Sequence, residues 1–343
     1  MVFKNTITAY PVLLITSIKK NFEALGRTVK KTGKTIARWL KPAHKYYEEL
    51  FNISLREFAN KKELILIFDE TLIRKIYSQL IEGSDRFYDT QLFRKITAFK
   101  LLVAMLTDGV KAFPLIATFL FSKELIPNPK ETKFEWMQKV ILTTQKKYPQ
   151  TRIIVAADGA FASRTFLQWC VQNNIAIELR MRSNCVVNYK DERIKLKNIK
   201  DLQPKGRQMA RTIQVIWHDI PLFITAQKRI DKKGEISIVF QVSTFEAKPM
   251  RHVEIYQSRW SIEKMFRTVK QNLGLQECMA RKKEHQENHV ASVFLAYAFL
   301  HCEQIQQKFA TPEAALRAAE RKKGKDLIRY IERLDRFISA AYV

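Results

Sequence analysis

The chain predicts a mixed α/β fold, with a basic helical segment ahead of it and a small β-rich insertion inside it. Three observations carry that expectation. Two continuous apolar runs of strand length, residues 63–69 and 152–158, each end in an acid, as strands buried on both faces of a sheet do. Stretches of helical periodicity alternate with such strands through most of the chain, the pattern of an open sheet flanked by helices. Residues 183–246 break the alternation: helix signals are poor there and strand-like stretches follow one another.

The first 58 residues read as helical and basic. Residues 19–45 hold nine Lys or Arg and a single acid, Glu23. Apolar Leu25, Val29, Ile36, Trp39 and Leu40 punctuate them. Residues 25–40 look like a helix-turn-helix: a short helix, a glycine-bearing turn, then a second helix whose Lys34 and Arg38 are free to enter a major groove. The alternative is a solvated basic hairpin. The apolar stretch 10–18 is too short to span a bilayer, and Lys19-Lys20 after it give the wrong charge order for a secretory signal.

Strands are expected at 63–69, 96–106 and 110–121, the last two joined by a turn at Asp108-Gly109. A helix at 133–148 leads to the strand at 152–158. Ser163 caps the helix after it, and 176–181 is another strand. Acids at strand ends lie where open sheets place their chemistry. In the insertion, 211–217, 221–228 and 236–244 read as strands, with a turn at Lys233-Gly234. A long helix follows over 249–273, then an apolar helix over 290–304. Thr311-Pro312-Glu313 starts the last helical segment, in which Leu327, Ile328, Ile331, Leu334, Phe337 and Ile338 share one face. The parts therefore divide as 1–58, a core of 59–182 with 247–310, an insertion of 183–246, and a C-terminal segment of 311–343.

Composition narrows the partners. With 60 Lys+Arg against 34 Asp+Glu the net charge is +26, and a polyanion is the simplest reason to tolerate such self-repulsion. An anionic membrane surface is the competing partner, but no apolar run is long enough to cross one. Four scattered cysteines without a C-x-x-C pair argue against zinc and disulfides and point to a reducing cytoplasm. His285 and His289 stand four apart, as two ligands on a helix would, with no third soft ligand near them.

The helix over 249–273 carries the chemistry. At about 100° per residue, Tyr256, Arg259, Glu263 and Lys270 fall on one arc about 60° wide. A phenol, a guanidinium, a carboxylate and an ammonium share it, beside a packing stripe of Ile262, Met265, Phe266 and Val269. A salt-bridged solvent face is the plain explanation. Together with Asp69 and Asp158, however, Glu263 completes what two-metal phosphoryl transfer asks for. Hard Mg²⁺ ions take carboxylate oxygens, and two of them about 4 Å apart activate the attacking oxygen and stabilise the leaving one.

The spacing Y-x(2)-R-x(3)-E-x(6)-K over Tyr256, Arg259, Glu263 and Lys270 resembles the signature of transposases of the insertion sequence four family, which belong to the DDE class. Residues 67–71 (Ile-Phe-Asp-Glu-Thr) are similar to that family's first-aspartate strand and 157–161 (Ala-Asp-Gly-Ala-Phe) to its second. The resemblance covers roughly residues 60–305. It implies an RNase H-like catalytic core interrupted by the β-rich insertion, and cut-and-paste transposition with two Mg²⁺ ions, for which Mn²⁺ can substitute. By position, Asp69, Asp158 and Glu263 resemble the metal-binding catalytic triad, and Tyr256, Arg259 and Lys270 the contacts to the cleaved DNA end. The partners implied are the inverted-repeat ends of an element and a target duplex, with the protein cytoplasmic and associated with the nucleoid. The alternatives are another RNase H-like nuclease, such as a resolvase, and a domesticated DNA-binding protein that no longer cuts.

Two further expectations follow. Cutting two ends needs two active sites, so a homodimer is expected on DNA, with the 327–338 face either its interface or packed on its own core. Members of the resembled family can free an element through a DNA hairpin, which extrudes a base. Trp217, in a predicted strand with Arg211 and Lys228 nearby, either stacks on that base or covers the small core of the insertion.

Overall fold

The two apolar runs that end in acids lie side by side as parallel strands. The computed structural model describes residues 7–77, 80–121 and 132–339. In chain order the elements are α1 (Ala9–Thr16), α2 (Phe22–Thr28), α3 (Gly33–Trp39), α4 (Ala43–Glu57), β1 (Glu63–Arg74), β2 (Asp85–Asp89), β3 (Arg94–Thr107), β4 (Ala112–Leu120), α5 (Lys133–Lys147), β5 (Arg152–Ala157), α6 (Arg164–Gln172) and β6 (Ala176–Met181). They continue as β7 (Val186–Tyr189), β8 (Glu192–Lys195), β9 (Ala210–Trp217), β10 (Ile220–Ile230), β11 (Ile236–Ser243), α7 (Pro249–Ser258), α8 (Trp260–Gln271), α9 (Lys283–Gln306), α10 (Pro312–Glu320) and α11 (Gly324–Ser339).

All these strands join one sheet in the order β2-β3-β1-β5-β6-β11-β10-β9-β7-β8, with β4 also paired to β3. β1, β5 and β6 are parallel, and β3 runs antiparallel to β1 and to β4. Leu64, Leu66, Ile67 and Phe68 of β1 and Ile154 to Ala157 of β5 are fully buried, as strands covered on both faces must be. The Asp108-Gly109 turn forms between β3 and β4, with Gly109 at φ +90°, and Asp108 is held by Lys61 at 2.8 Å. The β-rich stretch is not a separate layer. β11 pairs antiparallel with β6, from Phe240↔Met181 to Ser243↔Glu178, and carries β10 and β9 outward on the same sheet.

Successive residues of β1 face opposite sides of the sheet. Phe68 meets Trp136 of α5, with ring centroids 6.1 Å apart, and Phe134 of α5 meets Phe166 of α6 at 5.2 Å. The face that carries Asp69 is covered by α7 and α8. α9, buried over most of its length, packs against β4, α4, α1 and α10.

The basic N-terminal segment is helical and built into this body. α1 is buried from Ala9 to Ile15, and Tyr10 Oη donates to His289 Nδ1 at 2.9 Å. His289 Nε2 in turn faces the Gly274 carbonyl at 2.9 Å, which fixes its proton there because a carbonyl only accepts. Both ring nitrogens are thus used in the core, and burial pushes this imidazole down to about 4. The His285/His289 pair is no metal site. α2 and α3 are capped by Asn21 and Thr32 and pack through Leu25 and Ile36. At Gly26, inside α2, a Cβ would stand 2.5 Å from the Lys31 carbonyl oxygen, so the tight turn that follows α2 requires glycine at this position. Lys34 and Arg38 lie exposed on α3.

The C-terminal face turns partly inward. Ile331 and Leu334 are 5% and 2% exposed within the single chain, and Arg333 pairs with Glu303 of α9. Ile331 and Leu334 of this amphipathic side join the protein's own core, and α11 is tied to α9 through Arg333 and to Thr8 through Asp335. Ile328 on the same face stays 52% exposed. Phe337 and Ile338, the end of that face, fall outside the described side chains.

Candidate active site

Asp69 and Asp158 come together because β1 and β5 are in register: Phe68 pairs with Ala157, so the next residue of each strand is an acid at the same level. Immediately after Asp158 the chain turns through Gly159, where a Cβ would stand 2.9 Å from the Arg180 carbonyl of β6. The Asp-Gly pair therefore lets the backbone leave β5 closely alongside β6. Lys133 of α5 lies beside this turn, 4.7 Å from the Phe161 ring centroid.

The third acid arrives from above the sheet. The helix expected over 249–273 is two elements, α7 and α8, meeting at Arg259. The backbone stays right-handed there (φ −55°, ψ −28°), and the junction tightens to bonds from Arg259 N to Tyr256 O and from Ile262 N to Arg259 O, both 3.1 Å. Tyr256, Arg259 and Glu263 consequently keep a shared face in spite of the break. Arg259 Nη1 donates to Asp69 Oδ2 at 3.0 Å, while Nη2 donates to Glu263 Oε1. Tyr256 Oη donates to Asp158 Oδ1 at 3.4 Å. The guanidinium also stands 5.8 Å and 5.9 Å from the rings of Tyr256 and Trp260.

Five of the residues singled out from the sequence are thus gathered: Asp69, Asp158, Tyr256, Arg259 and Glu263. Burial raises the Asp69 carboxyl to about 6; Arg259 and the Glu70 N–H pull it down, and the neighbouring Glu263 and Asp158 push it up. Lys270 stands further along α8. It lines a cavity of about 490 Å³ with Arg74, Lys100, Glu70, Tyr88 and Asp89, and burial lowers its ammonium below the ordinary lysine value. Lys34 and Arg38 lie on α3, away from the carboxylates.

Trp217 is not at this site. The row through Ala157 crosses Leu179, Val242 and Ile224 to reach Ile213 of β9. Trp217 lies farther down β9, toward the opposite end of the sheet. Strand and residue spacings put it on the order of 20 Å away. Its ring packs against the core beside Cys185 and His218, so the covering role fits and the base-stacking role at the carboxylates does not.

Two features escaped the sequence reading. Glu70 points to the face opposite Asp69 and is bracketed by Lys100 and by Lys133, the latter at 3.3 Å; its position directly after an acid at a strand end was the available signal. Glu178 of β6 and His252 of α7 form a pair at 2.7 Å, both 0% exposed. Burial drives the glutamate well above the carboxylate range and the imidazole down to about 4. Glu178 Oε1 and His252 Nε2 have no hydrogen-bond partner. The pair pins α7 to the sheet one turn before Tyr256.

The donor chemistry of the triad suits a hard divalent ion, since all three side chains offer carboxylate oxygens. A cationic group already lies between two of them. Among the described residues no three His, Cys, Asp or Glu side chains stand together as a ready metal site.

Comparison with known proteins adds the following. Residues 60–299 match the family model described as the transposase DDE domain. No curated protein matches the chain. Among solved structures it is similar to the piggyBac transposase synaptic complex with hairpin DNA, at 12% identity over 97% of this chain and 76% of that one, with a TM-score of 0.47. It is also similar to the Mos1 transposase paired-end complex with left transposon end, at 13% identity over 50% and 57% of the two chains, with a TM-score of 0.21. No helix among the described residues is long and apolar enough to cross a membrane.

Proposed function

This chain belongs to the transposase DDE domain family, and we propose that it is a divalent-metal-dependent transposase that cuts DNA at the ends of a mobile element and joins them elsewhere. The observation that carries this reading is the convergence of Asp69, Asp158 and Glu263 on the Tyr256–Arg259 pair. Three carboxylates from distant parts of a chain are costly to cluster unless a cation compensates them, and phosphoryl transfer supplies the reason.

In this reading residues 59–182 and 247–310 form an RNase H-like core. The strand order β4-β3-β1-β5-β6, antiparallel on one side of β1 and parallel on the other, supports it. Residues 183–246 are its β-rich insertion and 311–343 a C-terminal helical segment. The four-residue spacing from Tyr256 to Lys270 favours the insertion sequence four family. Asp69, Asp158 and Glu263 would hold two Mg²⁺ ions, or Mn²⁺, which supply an activated oxygen nucleophile and a stabilised leaving oxygen. Arg259 and Tyr256 orient the scissile phosphate, and Lys270 takes a phosphate further along the strand. α2 and α3 read the flanking duplex through Lys34 and Arg38, and the net charge of +26 draws the remaining backbone. Two copies pair the two ends in the nucleoid-bound complex.

The test uses the DNA that borders the gene. A marker flanked by those two borders should be released and joined to a target plasmid by purified protein with Mg²⁺. Nicking without regard to the borders would favour a general RNase H-like nuclease, and binding without any cut would favour a DNA-binding protein that has lost its chemistry.

A further inference from the structure

We propose that Arg259 is the resident counter-cation of the acid triad, and that divalent metal enters only when a DNA phosphate draws its guanidinium away. Metal and DNA then bind cooperatively. The inference rests on the functional reading above, in that it takes the triad to be the metal site.

The geometry sets up the exchange. One guanidinium is shared by Asp69, at 3.0 Å, and Glu263, so it occupies the space between two of the three acids that would hold a metal ion. Both cannot be there at once. The Arg259 side chain is 11% exposed, and its Nε is buried with no hydrogen-bond partner. A buried donor left unsatisfied carries a desolvation penalty, so the arginine is not in its best possible environment. The acids are unequal in exposure: Asp69 is 18% and Glu263 35% exposed. A phosphate therefore approaches from the Glu263 side and meets the guanidinium before it meets Asp69. Arginine binds phosphate with a two-pronged, charge-assisted contact, which replaces the two hydrogen bonds it gives up. Without DNA, its departure would leave clustered carboxylates uncompensated, which is costly. With DNA, the vacated oxygens accept a dication in place of a single positive charge. Tyr256 acts in the same sense on Asp158, through the longer 3.4 Å contact.

The consequence is a site that does not load idle metal. By thermodynamic reciprocity, DNA tightens metal binding by the factor by which metal tightens DNA binding, on the order of 5–150-fold for a coupling of ordinary size.

Calorimetric titration of Ca²⁺ into the full chain tests this at constant ionic strength, with and without a short duplex. Ca²⁺ is chosen so that binding is read without turnover. The wild-type protein should bind Ca²⁺ weakly alone and at least about fivefold more tightly with the duplex. Ca²⁺ should tighten duplex binding by the same factor, a measurement that needs no variant. Arg259→Gln, checked for folding by its melting curve, should bind Ca²⁺ tightly without DNA and gain little from it. Equal Ca²⁺ affinity of the wild type with and without duplex, or an Arg259→Gln affinity as weak as that of the free wild type, would overturn the coupling while leaving the triad as a metal site. No Ca²⁺ binding in any arm would remove the functional reading and the inference together.

Discussion

Glu178 and His252 show how far a single residue's chemistry can hide from a sequence. The stretch Ala176 to Met181 reads as a strand, and nothing in it marks Glu178 as buried. The fold instead buries that carboxyl fully, because α7 lies over β6 and brings His252 to 2.7 Å. Asp69, Asp158 and Glu263 stood out in the sequence, since an acid that closes an apolar run, or sits at motif spacing, announces itself. The buried pair has a measurable signature. Burial raises the Glu178 carboxyl well above the carboxylate range and lowers His252 to about 4, so the fold favours an uncharged pair with the proton on the carboxyl. An unfolded chain also holds one proton on the two groups between roughly pH 4.5 and 6.5, and none above about 6.5. Above that pH the folded state binds a proton more readily than the unfolded chain, so stability falls as pH rises. Glu178→Gln keeps a hydrogen bond to the imidazole and carries no proton to lose. Chemical denaturation of the wild type at pH 6.5 and 8.5 should show a decline that the variant lacks; parallel declines would mean the pair binds no extra proton in the fold.

At the scale of elements, strands were read more surely than their extents. β1 runs on to Arg74 rather than stopping at Asp69, because β3 continues beside it and Arg74 is held by Asp89 of β2 at 2.6 Å. No local pattern announces a partner so far along the chain. The helix breaks at Arg259, and the cost is small because the junction stays right-handed. Trp217 illustrates the opposite limit: its strand was recognised, but position within a sheet depends on strand order, which pairing registers set and periodicity does not. The turn between α2 and α3, residues 29–32, holds no glycine; Gly26 lies inside α2, where the Lys31 carbonyl leaves no room for a Cβ. Lys34 and Arg38 sit one turn apart and exposed on α3. Replacing both by Ala should leave the melting temperature unchanged and reduce the affinity ratio between element borders and random duplex by about tenfold or more, since specific binding exceeds non-specific binding by orders of magnitude. Competition binding at fixed salt measures the ratio, and an undiminished value would move end recognition to the sheet.

For the molecule as a whole, charge and chemistry occupy one continuous body. The sheet carries Asp69 where β1 leaves its parallel pairing with β5 and Asp158 just past the end of β5, α7 and α8 bring Tyr256, Arg259 and Glu263 down onto them, and α1, α4 and α10 pack on α9 behind. α11 was ambiguous in sequence, because an amphipathic helix fits a partner's surface and its own core equally well; Leu334, 2% exposed, joins the core. The central claim is that Asp69, Asp158 and Glu263 form one centre for cutting DNA while the basic surface binds it. The most direct measurement is nicking of plasmid carrying the element borders, with Mg²⁺, by Asp69→Ala, Asp158→Ala and Glu263→Ala, alongside duplex affinity at the same salt without metal. The account predicts that each variant loses cleavage by at least about a thousandfold, consistent with metal ions supplying several kcal/mol of transition-state stabilisation, and that each retains duplex affinity within a few-fold. A Glu263→Ala protein that still cuts at near the wild-type rate would contradict it.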